Sequence, residues 1–184
     1  MTKLKHTKSD FEFQTERLTI KDWSTENKDF DSKRCFAEKT IDLLSPNVTK
    51  SLPDGWQNIN SIPKANQWIL DRANESNFLL VKNNATNELV GFIFLYKSDS
   101  NKNPYHLRFG YLFSENEWGK GLGTELIEGL VAMCKKNNNI NSLSGGVEKD
   151  NFGSIKVMEK NGFLALKSNN PNDQVIFYEI DFTH

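Results

Sequence analysis

The chain has 184 residues, roughly 1.2 times an average domain of about 150 residues, so one compact domain with one active centre is expected. With 37% hydrophobic and 11% aromatic residues it has the apolar content to bury a core and lacks the profile of a disordered chain. A formal net charge of −1, from 23 Lys plus Arg against 24 Asp plus Glu, argues against a protein held to nucleic acid mainly by phosphate neutralisation. The lysine-bearing start has no apolar run behind it, and no stretch approaches the ~20 apolar residues that a bilayer demands. Neither secretion nor membrane insertion is therefore expected. Cys35 and Cys134 are far apart, lack metal-site spacing and fit reduced thiols of a cytoplasmic protein, so no metal site is expected.

Residues 1–12 are polar and expected to fray, leaving 13–184 as the folded domain. Thr15 to Trp23 alternates as a first strand. Phe30 to Leu44 and Lys64 to Asn74 read as helices, separated by a loop punctuated by Pro46 and Pro53-Asp54-Gly55. This region reads as a lid of packing helices or as a substrate-lining segment. Phe78–Lys82 and Leu89–Tyr96 flank an Asn-rich turn and form an expected antiparallel hairpin, and Tyr105–Phe113 adds a third strand.

Leu122, Leu126, Ile127, Leu130, Val131 and Cys134 recur at helical spacing, with Lys135-Lys136 suiting the negative end of the helix dipole. Ser142–Val147 reads as a strand, Asn151–Asn161 as a short helix ended by Gly162, and Phe163–Leu166 and Gln174–Phe182 as closing strands. The pattern is α/β, with a mixed, mainly antiparallel sheet of about six to seven strands and about four helices.

Trp118-Gly119-Lys120-Gly121-Leu122-Gly123-Thr124 lies between a strand and an amphipathic helix. The first N–H groups of a helix lack internal partners and carry the positive end of the dipole, and glycines let a phosphate approach them. A tight connection with no ligand is the plainer alternative. A dinucleotide fingerprint fails, because its third glycine falls on Thr124 or on Leu126, and no Gly-x-x-x-x-Gly-Lys-Ser/Thr array is present.

These residues resemble the GNAT superfamily of acyl-CoA-dependent N-acetyltransferases, whose pyrophosphate loop reads Gln/Arg-x-x-Gly-x-Gly/Ala. Trp118-x-x-Gly121-x-Gly123 matches it apart from Trp118 at the first position. Trp118 to Glu125, with Thr15-Glu16-Arg17-Leu18, Asn151-Phe152-Gly153-Ser154 and Glu159-Lys160-Asn161-Gly162-Phe163, is similar to the branch that includes ribosomal-protein N-terminal acetyltransferases. The resemblance runs from about Phe13 to Phe182 and implies a GNAT-like fold.

The resemblance further implies that acetyl-CoA lies between splayed strands 105–113 and 142–147. Leu112 and Phe113 would offer backbone contacts, and the amides of Gly119, Lys120, Gly121, Leu122, Gly123 and Thr124 would hold the pyrophosphate beside Trp118. Asn151 and Ser154 would reach the pantetheine arm. It also implies a possible homodimer.

Transfer to an amine requires a neutral amine, a stabilised oxyanion and a protonated thiolate. Ser154 is the candidate acid, in place of the tyrosine many relatives use; the alternative is a hydroxyl that satisfies a helix terminus or binds CoA. Related sequences often place a Glu base where this chain has Arg108, which leaves His106, Glu148 or a water chain for that task; the plainer alternatives are a solvated or structural histidine at His106 and a solubilising surface residue at Glu148. Arg108 is a candidate reader of an acidic group on the acceptor, or an outward salt-bridge residue. Trp56 and Trp68 either line the acceptor site or pack in the core, and both cysteines are expected to pack.

The expected activity is acetyl transfer from acetyl-CoA to a primary amine by direct attack, with a peptide N-terminal α-amine as one acceptor class. The alternatives are a small-molecule acceptor, such as a polyamine, amino acid or aminoglycoside-like amine, and a non-catalytic CoA-binding sensor.

Overall fold

Strands that are apolar at nearly every position, as at residues 78–81 and 90–95, need cover on both faces of a sheet, and this chain supplies helices to both. The computed structural model describes residues 10–26, 28–50, 52–98, 103–167, 170 and 172–183. Among them eight strands form one sheet: β1 (Phe13–Gln14), β2 (Leu18–Asp22), β3 (Asn77–Asn83), β4 (Leu89–Lys97), β5 (Tyr105–Phe113), β6 (Ile140–Glu148), β7 (Leu164–Ala165) and β8 (Val175–Asp181). Their order is β1-β2-β3-β4-β5-β6-β8-β7. Every neighbouring pair is antiparallel except β5–β6, which is parallel. The helices are α1 (Phe30–Leu43), α2 (Pro46–Thr49), α3 (Ile62–Glu75), α4 (Leu122–Lys135) and α5 (Phe152–Lys160).

One face carries Leu79, Val81, Ile93, Leu95, Leu107, Phe109, Phe113 and Leu143, which pack with Leu122, Leu126, Ile127 and Leu130 of α4 and Met158 of α5. The opposite face carries Phe78, Leu80, Phe92, Phe94 and Leu112, packed with Phe36 and Leu43 of α1 and Trp68 and Ile69 of α3. That second core takes only Leu112 from β5 and nothing from β6 or β8. The β5–β6–β8 half of this face is therefore not part of the helix-covered core.

The expected elements are present with two additions, the four-residue α2 and the two-residue β1. The first strand, expected as Thr15–Trp23, is shorter, because Thr15 forms a turn with its N–H donating to Leu18 O at 2.8 Å. Phe13–Gln14 then folds back to pair with Ile20 and Thr19. Phe11, in the stretch expected to fray, is only 3% exposed and joins the α4-side core; residues 1–9 of that stretch lie outside the described residues. Gly129 allows this approach, since a Cβ there would lie 2.8 Å from the Phe13 ring and 2.6 Å from Thr15 Cγ2.

Gly162 closes α5 at φ +78° as expected, and Phe163 N–H donates to Met158 O at 3.1 Å, which turns Phe163 into the core against Phe109. Asn161 Nδ2 donates to Thr124 O and Val157 O and ties the end of α5 to the start of α4. Of the cysteines expected to pack, Cys134 is buried but Cys35 is exposed, because its position on α1 points away from the Phe36 and Ala37 stripe.

Candidate functional site

Two strands that run parallel and then part leave unpaired backbone groups facing each other. β5 and β6 pair from Tyr105↔Ile140 to Phe109↔Gly145 and no further, although β5 stays paired with β4 to Phe113 and β6 with β8 to Glu148. Residues 110–113 and 146–148 thus line an open wedge. Which amides enter it follows from register. Ser114 N–H donates to Val90 O and Ser98 N–H to His106 O, so the even-numbered residues of β5 direct their N–H and C=O toward β4. Tyr111 and Phe113 therefore face the wedge. This corrects the expectation for Leu112, whose backbone is turned to Phe92 and whose side chain lies in the α1–α3 core.

Beyond β5 the chain makes one 3-10 turn, Glu115–Glu117, and reaches α4 through Trp118, Gly119, Lys120 and Gly121. Gly119 and Gly121 sit at φ +75° and +78°, a region closed to most side chains. No atom lies within 4 Å of where a Gly119 Cβ would be, and no side chain caps α4 at Gly121. The first amides of the helix, Leu122, Gly123 and Thr124, are left without an intrahelical acceptor. The Leu122 side chain is buried, so this residue has only its backbone to offer. Trp118 is 52% exposed, and its indole N–H donates to Phe113 O at 3.0 Å, which occupies that carbonyl and leaves the Phe113 N–H in the wedge. Lys120 pairs with Glu117 at 3.2 Å.

Carboxylates pin this loop at both ends. Glu115 accepts from Ser45 and, at 2.9 Å, from Asn47 Nδ2, both at the turn into α2; these bonds hold its carboxyl below the usual range. Glu125, one turn into α4, accepts from Thr15 Oγ1 at 2.6 Å, Arg17 N at 2.7 Å and Arg17 Nε at 2.6 Å. Arg17 Nη1 donates in turn to Lys120 O at 3.0 Å. Partial burial alone would raise the Glu125 pKa, but the bonds from Thr15 and Arg17 and the guanidinium charge outweigh it and bring it below normal. The Thr15-Glu16-Arg17-Leu18 motif thus acts at a distance, as the clamp on the glycine loop.

On α5, Asn151 caps the helix by accepting from Ser154 N–H at 3.0 Å, which leaves only its Nδ2 to reach outward. The Ser154 hydroxyl accepts from Tyr111 Oη at 3.3 Å. Sequence reasoning missed Tyr111, since a tyrosine was sought on the helix and not on β5. The available signal was parity: Leu107, Phe109, Tyr111 and Phe113 share the face that meets α4 and α5. Burial pushes the Tyr111 phenol up, only partly countered by the bond to Ser154, so it stays protonated at neutral pH. Gly123 faces the same spot, as a Cβ there would stand 3.6 Å from Tyr111 Oη.

The structure separates the two candidate bases. His106 has Nδ1 2.6 Å from Ser142 Oγ and Nε2 2.8 Å from Ser144 Oγ, so both ring nitrogens are occupied. It also lies four residues before Gly110, about 13 Å from the wedge at ~3.3 Å per residue. Glu148 ends β6 at the wedge mouth, half-buried and opposite Val175. Trp68 is a core residue, 2% exposed among Phe78, Phe92 and Phe94. Trp56 packs 4.9 Å from the Phe94 ring, in the row of the sheet that continues into Gly110, and so borders the wedge.

A family model described as "Acetyltransferase (GNAT) domain" matches residues 17–164. The chain belongs to the GNAT acetyltransferase family. No curated protein matches the sequence significantly. Among solved structures, a GNAT-family acetyltransferase from Bacillus anthracis superposes with TM-score 0.70 at 19% identity, over 94% of this chain and 99% of that one. The RimL ribosomal L7/L12 alpha-N-protein acetyltransferase, in complex with coenzyme A, gives TM-score 0.68 at 15% identity over 91% and 95%. The microcin C7 self-immunity acetyltransferase MccE, in complex with acetyl-CoA and AMP, gives 0.69 at 18% over 90% and 93%. These likenesses support the GNAT fold, and the chain is similar to ribosomal-protein acetyltransferases and to other GNAT enzymes alike.

Proposed function

We propose that this GNAT protein is an acetyl-CoA-dependent N-acetyltransferase that moves the acetyl group directly onto a primary amine within a ternary complex. One observation carries the reading: the β5–β6 pairing stops at Phe109 and Gly145, and the wedge it opens lies beside a glycine loop with uncapped helix amides. Acetyl-CoA, the co-substrate, supplies the activated thioester. The open space over Gly119 and the left-handed glycines suit close approach of a diphosphate to backbone N–H groups.

The remaining tasks fall to the chain's own groups. The Tyr111 and Phe113 amides face the wedge, where an N–H fixed in a sheet offers a preorganised donor to a developing oxyanion. Ser154, hydrogen-bonded to the protonated Tyr111 hydroxyl, is the group suited to give a proton to a departing thiolate, with Tyr111 as its source. Glu148 at the wedge mouth is the better-placed acceptor for the amine proton. An α-amine, with a reference pKa of about 8, asks less of that base than a lysine-like amine near ~10.4. The resemblance of residues 15–18, 118–125, 151–154 and 159–163 to ribosomal-protein acetyltransferases supports a peptide α-amine as acceptor.

The test is acetyl-CoA binding by calorimetry together with thiol release across peptides, polyamines, amino acids and aminoglycosides. Gly121→Glu places a side chain and a negative charge in the loop and should abolish both signals. Tight binding without turnover on any amine would favour a CoA-binding sensor, and no binding at all would end the proposal.

A further inference from the structure

The half of the sheet face that α1 and α3 leave uncovered is not featureless. Reading across it, one row holds Tyr96 of β4, Arg108 of β5, Ser144 of β6 and Glu179 of β8. The next row toward the wedge holds Phe94, Gly110 and, on β6 and β8, Gly146 opposite Phe177. No atom lies within 4 Å of a Cβ built on Gly110, so the floor is open there. Together these rows make a trough that runs from the wedge mouth to Arg108, about 7 Å along the strand from Gly110.

Arg108 is the distinctive group in this trough. It is exposed, and among the described residues it makes no ion pair. The guanidinium lies 5.7 Å from the centroid of Phe177, itself 43% exposed. Stacking of a guanidinium on a ring orders it and leaves its in-plane donors free. The other charged or titratable groups on this face are Tyr96, whose phenol burial pushes up, His106, which holds Ser142 and Ser144, Glu179, 3.9 Å from His106 Nδ1, and Glu148 and Asp181 toward opposite ends of the face.

We infer that Arg108 is a specificity-determining residue that pairs with a carboxylate on the acceptor while the acceptor's amine sits at the wedge above Gly110. The inference rests on the acetyltransferase reading and deepens it by naming the acceptor class: an amine that also carries a carboxylate within reach of the guanidinium over Phe177. A single guanidinium with one ring-covered face matches one carboxylate in a bidentate pair. Glu148 and Glu179 on the same face lower the local potential, which disfavours a doubly charged phosphate.

The test compares matched acceptors with and without the carboxylate, γ-aminobutyrate against butylamine and Ser-Glu against Ser-Gln peptide amides, by thiol release. Wild-type protein should favour the carboxylate member by about tenfold or more in kcat/KM, the size of one charge-assisted hydrogen bond. Arg108→Gln should remove that preference, and Arg108→Glu should reverse it, with the KM for acetyl-CoA unchanged in both. The acetylated γ-aminobutyrate product should raise the melting temperature of the wild type in the presence of CoA, and that of Arg108→Gln should not move. Turnover without a carboxylate preference, or with a preference that survives Arg108→Gln, would overturn the inference and leave the acetyltransferase reading intact. Absence of turnover with every amine would overturn both.

Discussion

Glu125→Gln removes the charge at the centre of the clamp between the N-terminal strands and the glycine loop while keeping the shape of the side chain. Its three bonds, to Thr15 Oγ1, Arg17 N and Arg17 Nε, span 2.6 to 2.7 Å. The Arg17 side chain is 46% exposed, so the ion pair itself is worth less than about 1 kcal/mol. The two bonds at Oε1, from Thr15 Oγ1 and Arg17 N, lose their charge assistance, adding about 1 kcal/mol, and the lost helix-dipole interaction adds a few tenths. The sum is about 2 kcal/mol, or roughly 6 °C in melting temperature for a chain of this size.

The pH dependence of that loss has a fixed sign. Glu125 titrates below its ordinary value in the folded protein, so its contribution is complete above the unfolded carboxylate pKa and fades as pH falls through the lower folded value. Urea unfolding of both proteins should therefore show a constant gap above about pH 5.5 that begins to narrow as pH falls through the ordinary carboxylate value of about 4.3 and closes only below the lowered folded value. The KM for acetyl-CoA should rise several-fold with the acceptor KM unchanged. A gap below about 0.5 kcal/mol that is flat in pH would refute the clamp.

Gly91→Ala should cost about 3 kcal/mol or more by urea unfolding, since a Cβ there would meet Leu112 O at 2.5 Å and force β5 away from β4 beside the wedge; a near-neutral effect would mean the strands adjust freely. Ser154→Ala should lower kcat about 100-fold with little change in the KM for acetyl-CoA, and Tyr111→Phe should lower it about tenfold. The opposite split for Ser154, a raised KM at constant kcat, would make it a binding residue. Cys134, whose thiol burial pushes up to about 12, should resist thiol reagents at pH 8 in the folded protein while exposed Cys35 reacts. Two reactive thiols without denaturant would contradict that core assignment.

Local pattern carried most of the architecture. The α4 stripe, the Asn-rich hairpin and Gly162 are all set by residues close in sequence, and each stands where its spacing placed it. What escaped were properties of register. The turn at Thr15 depends on a bond back to Leu18 and on Gly129, more than 100 positions away, leaving room for Phe13. Whether Leu112 or Tyr111 shows its amide to the wedge depends on hydrogen-bond parity with β4, to which the side-chain pattern is blind. The sequence leaves His106 open as a base or as a structural histidine, and only the parallel pairing with β6 brings Ser142 and Ser144 to its two nitrogens. Tyr111 and Ser154 lie 43 residues apart and meet only because α5 crosses β5 where the sheet splays.

The most direct measurement is a single-turnover reaction of the full chain with acetyl-CoA and an amine panel, following free thiol and the mass of each amine together. Direct transfer requires one acetylated amine per thiol released, and loss of both products in Gly121→Glu. Thiol release without any acetylated amine, or acetyl-CoA bound and left intact in the presence of every amine, would contradict it.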